Sequence, residues 1–345
     1  MLSGGDYQGC KDANEILMKY GKQAVVSAVE NAVHIPIDRV VELANIEKVD
    51  IYSLPKLATG ISDLDKLLKG GLYFGQVDII GGKRGDGKST LAGQILLNAI
   101  EQNYNVFAYS GELPNYLFKA WIDMQAAGDS VIETTNKFGE QTYFVTNSDT
   151  EKINDWYRGK FLVYDNSMVS DEDEDLIKTI ESVIVQFGTQ VVLIDNLMTA
   201  IDLDCDIESN KWEKQSKFVK KLTRLALKYN VLILLVAHRR KSQGTLDIND
   251  EISGSGDITN LAGVVISYDR NDDENIQAER LLKLTKSRLI GKLNFDGIPL
   301  SYDEKTKRIY GMNDDLHKDF SWKKTDGFRQ ITNAEQLEIE ENIFN

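Results

Sequence analysis

Cysteine is scarce in this chain: Cys10 and Cys205 are the only two among 345 residues, too few for a disulfide framework or a cysteine-cluster metal site. Histidine is equally thin. His34, His238 and His317 stand far apart, which excludes a histidine-rich zinc centre. No apolar run is long, either. The longest, Val231 to Ala237, falls far short of the ~20 residues needed to cross a bilayer. The opening MLSGGDYQGCKDANE lacks the basic stretch and apolar core of a secretory signal. The expectation is a soluble protein of a reducing compartment with no membrane partner. At 42% hydrophobic residues it has enough apolar surface to bury a full core.

Positive charge is also in deficit. Forty Lys and Arg against 54 Asp and Glu leave a net charge of −14, which excludes a protein that coats nucleic acid with its whole surface. The bases that exist are clustered. Lys211, Lys214, Lys217, Lys220, Lys221 and Arg224 form one group, Arg239, Arg240 and Lys241 a second, and Lys283, Lys286, Arg288 and Lys292 a third. The acids gather elsewhere, in Asp171 to Asp175 and in the C-terminal stretch. A local basic channel therefore remains open, while the first group also reads as a solvated helix face.

Along the chain, residues 12–33 read as helix with a break at Gly21, and 34–58 as a linker enclosing a short amphipathic helix, Ile37 to Ile46. From Thr59 the pattern alternates. Apolar strands are expected at Gln76–Ile80, Asn105–Tyr109, Phe161–Tyr164, Val191–Ile194, Val231–Ala237 and Val264–Tyr268. Helical stretches lie between several of them, and closing strands at Leu281–Thr285 and Lys292–Tyr302. This is an α/β fold with a mostly parallel sheet and helices on both faces. The segment 313–345 reads as an acidic, mobile tail.

One motif carries chemistry directly. Gly82-Lys83-Arg84-Gly85-Asp86-Gly87-Lys88-Ser89, followed by Thr90, fits G-x-x-x-x-G-K-[ST] between an apolar strand and an amphipathic helix. Gly82, Gly85 and Gly87 let backbone N–H groups curl around a phosphate at a helix N-terminus. Lys88 is placed to reach β/γ oxygens, and Ser89 to offer a hydroxyl to Mg²⁺. Lys83 and Arg84 read as solvated loop charges. Asp195, ending the run Val191-Val192-Leu193-Ile194, is the candidate second element of the metal site. Glu112, just past the strand Asn105–Tyr109, is the candidate water-activating base.

With these residues named, the chain resembles the RecA-like ATPases, a group that includes RadA, KaiC and the replicative helicases. The resemblance is carried by Thr59-Gly60-Ile61, Leu64-Asp65, Gly70-Gly71-Leu72 and Gly75 ahead of the phosphate loop. Ile194-Asp195-Asn196-Leu197, Val236-Ala237-His238-Arg239, Ser253-Gly254-Ser255-Gly256-Asp257, Asp269-Arg270-Asn271 and Lys286-Ser287-Arg288 are similar to the DnaB-like hexameric helicases, nearest the phage primase–helicases and Twinkle. That resemblance implies a RecA-like P-loop core over residues 59–312 and a homo-oligomeric, hexameric ring acting on single-stranded DNA in the cytoplasm of a bacterial host. It implies that Arg288 and Lys286 serve a neighbour's γ-phosphate, that His238 senses γ-phosphate, and that Arg270 and Tyr302 hold the base of ATP or dTTP. Arg239, Arg240 and Lys241 match a DNA-contacting loop. The loop after Asp195 departs from the pattern, being acidic at Asp202, Asp204, Asp206 and Glu208.

Lys11-Asp12-Ala13-Asn14 resembles the end of a Toprim fold, so residues 1–33 are expected to be a remnant of such a domain. Neither metal binding nor primer synthesis is assigned to Asp12. The helix Ile37–Ile46 matches the element that grips a neighbouring subunit. The acidic tail resembles those that touch a replisome polymerase or primase. RadA-like DNA-dependent ATPases without unwinding, and KaiC-like ATP-gated scaffolds, are the alternatives.

Overall fold

The computed structural model describes residues 8–31, 37–167, 175–203, 211–239, 249, 252, 256–272 and 274–323. Arg240, Lys241, Ser253 to Ser255, the acidic loop positions Asp204, Asp206 and Glu208, and residues 324–345 of the tail lie outside the described residues. The chain divides into two compact units, Met1–Asp50 and Ile51–Asn345.

In the first unit, helix α1 (Ala13–Glu30) starts at Asp12. The Asp12 carboxylate accepts the Glu15 N–H at 2.9 Å, and the Glu15 carboxylate accepts the Lys11 N–H at 2.6 Å. This reciprocal arrangement satisfies donors that the helix start leaves open. Asp12 therefore has a local structural role. Gly21, at φ 82°, kinks the helix. The helix expected over Ile37–Ile46 is not formed; the segment holds a turn and a single 3₁₀ turn, Leu43–Asn45. Its Val40, Val41 and Leu43 are exposed. A short amphipathic segment draws helical stability from packing its apolar face, and adjacent β-branched residues weaken the propensity further.

The second unit begins with β1 (Lys56–Leu57), α2 (Ser62–Leu67) and β2 (Leu72–Tyr73), the two strands pairing antiparallel. Then come β3 (Gln76–Gly82), α3 (Lys88–Glu101), β4 (Val106–Ser110) and α4 (Asn115–Ala127). A hairpin, β5 (Ile132–Thr135) with β6 (Gln141–Phe144), and α5 (Asn147–Tyr157) precede β7 (Phe161–Val163). They are followed by α6 (Leu176–Phe187), β8 (Val191–Asp195), α7 (Leu197–Asp202), α8 (Lys211–Tyr229) and β9 (Leu232–His238). The unit closes with α9 (Gly256–Leu261), β10 (Val264–Arg270), β11 (Arg280–Ser287), β12 (Asn294–Tyr302) and β13 (Ile309–Tyr310).

Nine strands form one sheet in the order β13-β12-β11-β10-β3-β9-β8-β4-β7. Neighbours from β10 to β7 run parallel, and β11, β12 and β13 extend the sheet antiparallel. The continuous apolar runs of the parallel strands follow from burial on both faces. Along β8, Val191 and Leu193 enter one core with Leu91 and Ile95 of α3, while Val192 and Ile194 enter the other with Phe218 and Leu222 of α8. That alternation is the period-two geometry of a strand.

The Thr59-Gly60 … Asp65 motif proves architectural. Asp65 accepts from the Thr59 N–H and hydroxyl, both at 2.8 Å, and from the Gly60 N–H at 3.2 Å, tying the entry of the unit into a turn. Residues 313–323, expected to be mobile, instead pack down. Trp322 is buried and donates its indole N–H to the Ala126 carbonyl at 3.0 Å. Arg308 reaches the carbonyls of Gln125, Leu316 and Lys318. Local acidity concealed this, because the aromatic anchors are only two and their receptor is built from distant segments.

Candidate active site

β3, β9, β8 and β4 are consecutive parallel neighbours, so their carboxyl ends share one edge. The register pairs Gly82 with His238 and Ser110 with Asp195. From β3 the chain crosses to β4 over two intervening strands, while β10 flanks β3 on its other side. Such a reversal of strand order opens a crevice at the carboxyl ends, where α/β sheets take their ligands. A cavity of about 450 Å³ lies there, bounded by the phosphate loop, Glu112, Asp195, His238, Arg280 and Tyr302 among others. Its size suits a small-molecule ligand.

The loop between β3 and α3 is built for close approach. Gly85 and Gly87 take left-handed φ of 79° and 90°, and α3 begins immediately after. A Cβ at Gly82 would sit 2.1 Å from the Tyr268 carbonyl oxygen, so only glycine lets β3 end against β10. Asp86 is buried and accepts the Lys83 N–H at 2.9 Å. Lys83 and Arg84 are exposed, in keeping with solvated loop charges. Lys88 is only 4% exposed and donates to the Lys83 carbonyl at 2.6 Å. Burial lowers its pKa, with Asp86, Asp195 and Glu112 pulling the other way. A partly desolvated ammonium at the head of a helix attracts an anion more strongly than it would in water.

Asp195 is buried at 3% exposure, and the Ser89 side chain hydrogen-bonds to it. Burial pushes its carboxyl up, and the Ser89 hydroxyl works against that. One hydroxyl and one carboxylate, both oxygen donors at the loop that would cradle phosphate, fit Mg²⁺, which keeps several waters and takes few protein ligands. Among the described residues no group of three or more His, Cys, Asp or Glu could hold a metal by itself.

Glu112 is half-exposed and carries a compact set of contacts. The Asn196 amide donates to its Oε1 at 2.5 Å, and His238 Nε2 lies 3.1 Å from the same oxygen. Burial raises the Glu112 carboxyl, but the His238 and Asn196 bonds outweigh it and the net shift is downward. A carboxylate ionised at neutral pH beside a phosphate loop can accept a proton from water.

Several expected residues thus converge: Lys88, Ser89, Thr90, Glu112, Asp195, His238 and Tyr302 all line the cavity. Others do not. Arg270 extends toward Asp86, its Nε 3.7 Å from Oδ1, and is largely exposed. Arg239, expected to contact DNA, instead pairs with the Asp269 carboxylate, both side chains largely buried; in this chain it is a strut between β9 and β10. Lys286 donates to the Thr259 and Asn260 carbonyls at 2.6 and 2.9 Å, and Arg288 to that of Asn260 at 2.5 Å. The two cations meet on one carbonyl at the end of α9, away from the cavity lining.

Three cavity residues escaped the sequence reading. Arg280 donates from Nε to the Asp86 carbonyl at 3.0 Å. It pairs directly with Arg270 across β10 and β11, a position that extending the closing strand by one residue would have reached. Tyr268 is fully buried under Gly87, and Trp121 projects from α4. Neither has a local sequence signature.

The KaiC ATPase family pattern matches residues 57–294, which holds the phosphate loop, Glu112, Asp195, His238 and the Lys286/Arg288 pair. The chain belongs to the KaiC family of ATPases. Among solved structures, this KaiC-family chain is similar to the ATPase domain of a DnaB-like helicase, with a TM-score of 0.59 and 14% identity over 76% of this chain and 93% of that one. It is also similar to the KaiC-like protein PH0186 from Pyrococcus horikoshii, with a TM-score of 0.54 and 19% identity over 75% and 99%. At such identities the likeness is one of fold, the RecA-like P-loop ATPase. Curated relatives include the DNA repair protein RadA of Pseudomonas aeruginosa, 43% identical over 56 residues, and that of Salmonella typhimurium, 31% over 99 residues. These stretches cover 16% and 29% of this chain but only 12% and 18% of the RadA chains. No helix among the described residues is long and apolar enough to cross a membrane.

Proposed function

We propose that this RecA-like ATPase is the motor of a ring-forming replicative DNA helicase, hydrolysing nucleotide between neighbouring copies and advancing on single-stranded DNA. The observation that carries the reading is the separation of parts. The cavity gathers Lys88, Ser89, Glu112, Asp195 and His238, whereas Lys286 and Arg288 converge on the Asn260 carbonyl elsewhere in the same chain. Two cations held side by side outside their own cavity are suited to a site on a second copy, where they would offset charge developing on the transferred phosphoryl group.

Within one copy, the loop amides and Lys88 would bind the phosphates, and Ser89 with Asp195 would hold Mg²⁺. The metal supplies charge neutralisation at the phosphate oxygens. Glu112 would orient the attacking water and accept its proton on the carboxylate, and His238 would sit beside the leaving phosphate. Tyr302, with Arg270 or Arg280, would face the base, and a stacking contact of that kind accommodates ATP or dTTP. Arg240 and Lys241 are the remaining candidates for DNA contact. The relation to the phage and Twinkle branch rests on His238 and on the residues around Arg270 and Arg288. A polymerase or primase is the proposed partner of the acidic tail.

The RadA likeness favours a second reading, a DNA-dependent ATPase without strand separation. One experiment distinguishes the two: phosphate release with and without single-stranded DNA, alongside displacement of a labelled strand from a forked duplex. Stimulated turnover with displacement supports the helicase. Stimulation without displacement supports the RadA-type reading, and turnover indifferent to DNA at low salt defeats both.

A further inference from the structure

Asn196 follows the metal-site aspartate and has no assigned role. It is completely buried. Its Oδ1 accepts the N–H groups of Met198 at 2.9 Å and Thr199 at 3.3 Å, capping α7. The Thr199 hydroxyl closes the arrangement, donating to the Asn196 carbonyl at 3.0 Å and accepting the Asn196 N–H at 3.4 Å. Helix N–H groups only donate, so the oxygen end of the amide must face α7 and the nitrogen end must face away from it. That nitrogen points at Glu112 Oε1, at 2.5 Å.

His238 Nε2 completes a triangle, 3.1 Å from Glu112 Oε1 and 3.1 Å from Asn196 Nδ2. A carboxylate oxygen only accepts, and the Asn196 nitrogen is fixed as a donor. The consistent assignment therefore has Asn196 and His238 both donating to Oε1, with the 3.1 Å between the two nitrogens being adjacency around a shared acceptor. With Oε1 held from two sides, Oε2 is the oxygen left to meet water.

The segment carrying Glu112 is pressed onto the same helix start. The Gly111 N–H donates to the Asp195 carbonyl at 2.6 Å, and a Cβ on Gly111 would lie 2.0 Å from the Thr199 hydroxyl oxygen. A side chain there would push Glu112 off its partner.

We infer that Asn196 is the positioning residue of the hydrolytic base: one amide, locked by the α7 cap at its oxygen end, sets the orientation of Glu112 at its nitrogen end. The inference rests on Glu112 acting as the base, which Glu112→Gln tests separately; full turnover in that variant would remove the base reading itself. Asn196→Asp keeps a good helix cap while replacing the Glu112-facing donor with an acceptor. It should melt at the wild-type temperature, bind nucleotide with an unchanged KM and lose kcat by roughly tenfold or more, within the range a misplaced base costs. Asn196→Ser retains a capping oxygen too short to reach Glu112 and provides a second folded variant with the same expected split. In the Glu112→Gln background the Asn196→Asp change should cost little further residual turnover, since residues acting as a unit are not additive. Wild-type kcat in both Asn196 variants would show the residue to be a cap alone and overturn the inference. An equal loss with and without the Glu112 carboxylate would do the same.

Discussion

Two regions of the second unit, both rich in charge, solve opposite problems. At the carboxyl ends of β3, β9, β8 and β4, every charged group has a polar partner close by: Asp195 with Ser89, Glu112 with Asn196 and His238, Lys88 with a carbonyl of its own loop. At the end of α9, Lys286 and Arg288 have backbone carbonyls as partners; burial, then the Arg288 charge beside it, lowers the Lys286 pKa. The first region is self-consistent within one chain. The second holds cations in reserve, and a carbonyl is a weaker partner for a guanidinium than an anion is.

If that difference reflects division of labour between copies, Arg288→Ala should lose roughly 10³-fold or more in turnover, the scale of a missing arginine finger, while nucleotide affinity stays near wild type. Equilibrium binding of a fluorescent nucleotide beside phosphate release would check this, and a fully active Arg288→Ala variant would erase the contrast. Lys88→Ala should cost about 10²- to 10³-fold and weaken binding too, because its ammonium faces bound phosphate directly. Mixing the two inactive variants sharpens the comparison: activity should partly return where an intact cavity meets an intact cation pair. No recovery at any mixing ratio would argue for sites complete within single chains.

Beneath the second region lies Asp78, fully buried in β3, accepting from Gln76 Nε2 at 2.9 Å and from the Val264 N–H at 2.8 Å. The neighbouring Gly263 carbonyl accepts the Arg288 N–H at 2.8 Å. Burial pushes the Asp78 carboxyl up to about 8. The folded chain therefore keeps this proton where the unfolded chain, at its ordinary value of 3.8, has lost it. Stability is full below pH ~4 and declines as pH rises toward ~8. Asp78→Asn should flatten that decline, with a gain on the order of a few kcal/mol at pH 8 and almost none at pH 4. Melting curves across that range would decide it, and parallel curves for the two proteins would refute it.

The smallest expected effect belongs to the first region. Gly82→Ala forces β3 away from the Tyr268 carbonyl, at a cost of about 1–3 kcal/mol, seen as a lower melting temperature with reduced turnover. An unshifted melt would mean that β10 yields easily.

The strands of the main sheet were legible because buried parallel strands read as continuous apolar runs, and the phosphate loop because its residue types and spacing are demanded by local backbone geometry. Lys88, Ser89, Asp195 and Glu112 could be named for the same reason, each standing at a recognisable strand end or loop. The hairpin β5–β6 was missed, its strands being short and only partly buried. So were Arg280 and Tyr268, whose partners lie far off in the chain. Arg239 misled in the other direction: a basic run looked solvated, yet its first member is paired with Asp269.

By itself, then, the order of residues determined the alternating α/β architecture, the phosphate loop and which carboxylates stand at strand ends. These depend on local periodicity and on the reach of a single turn. Only the tertiary structure decided that Asn196 and His238 share one oxygen of Glu112, that Arg239 turns inward, and that Lys286 and Arg288 gather on Asn260. Such contacts are made where β4, β8, β9 and β11 are brought into register, and hydrogen-bond geometry between distant segments leaves no trace in local composition.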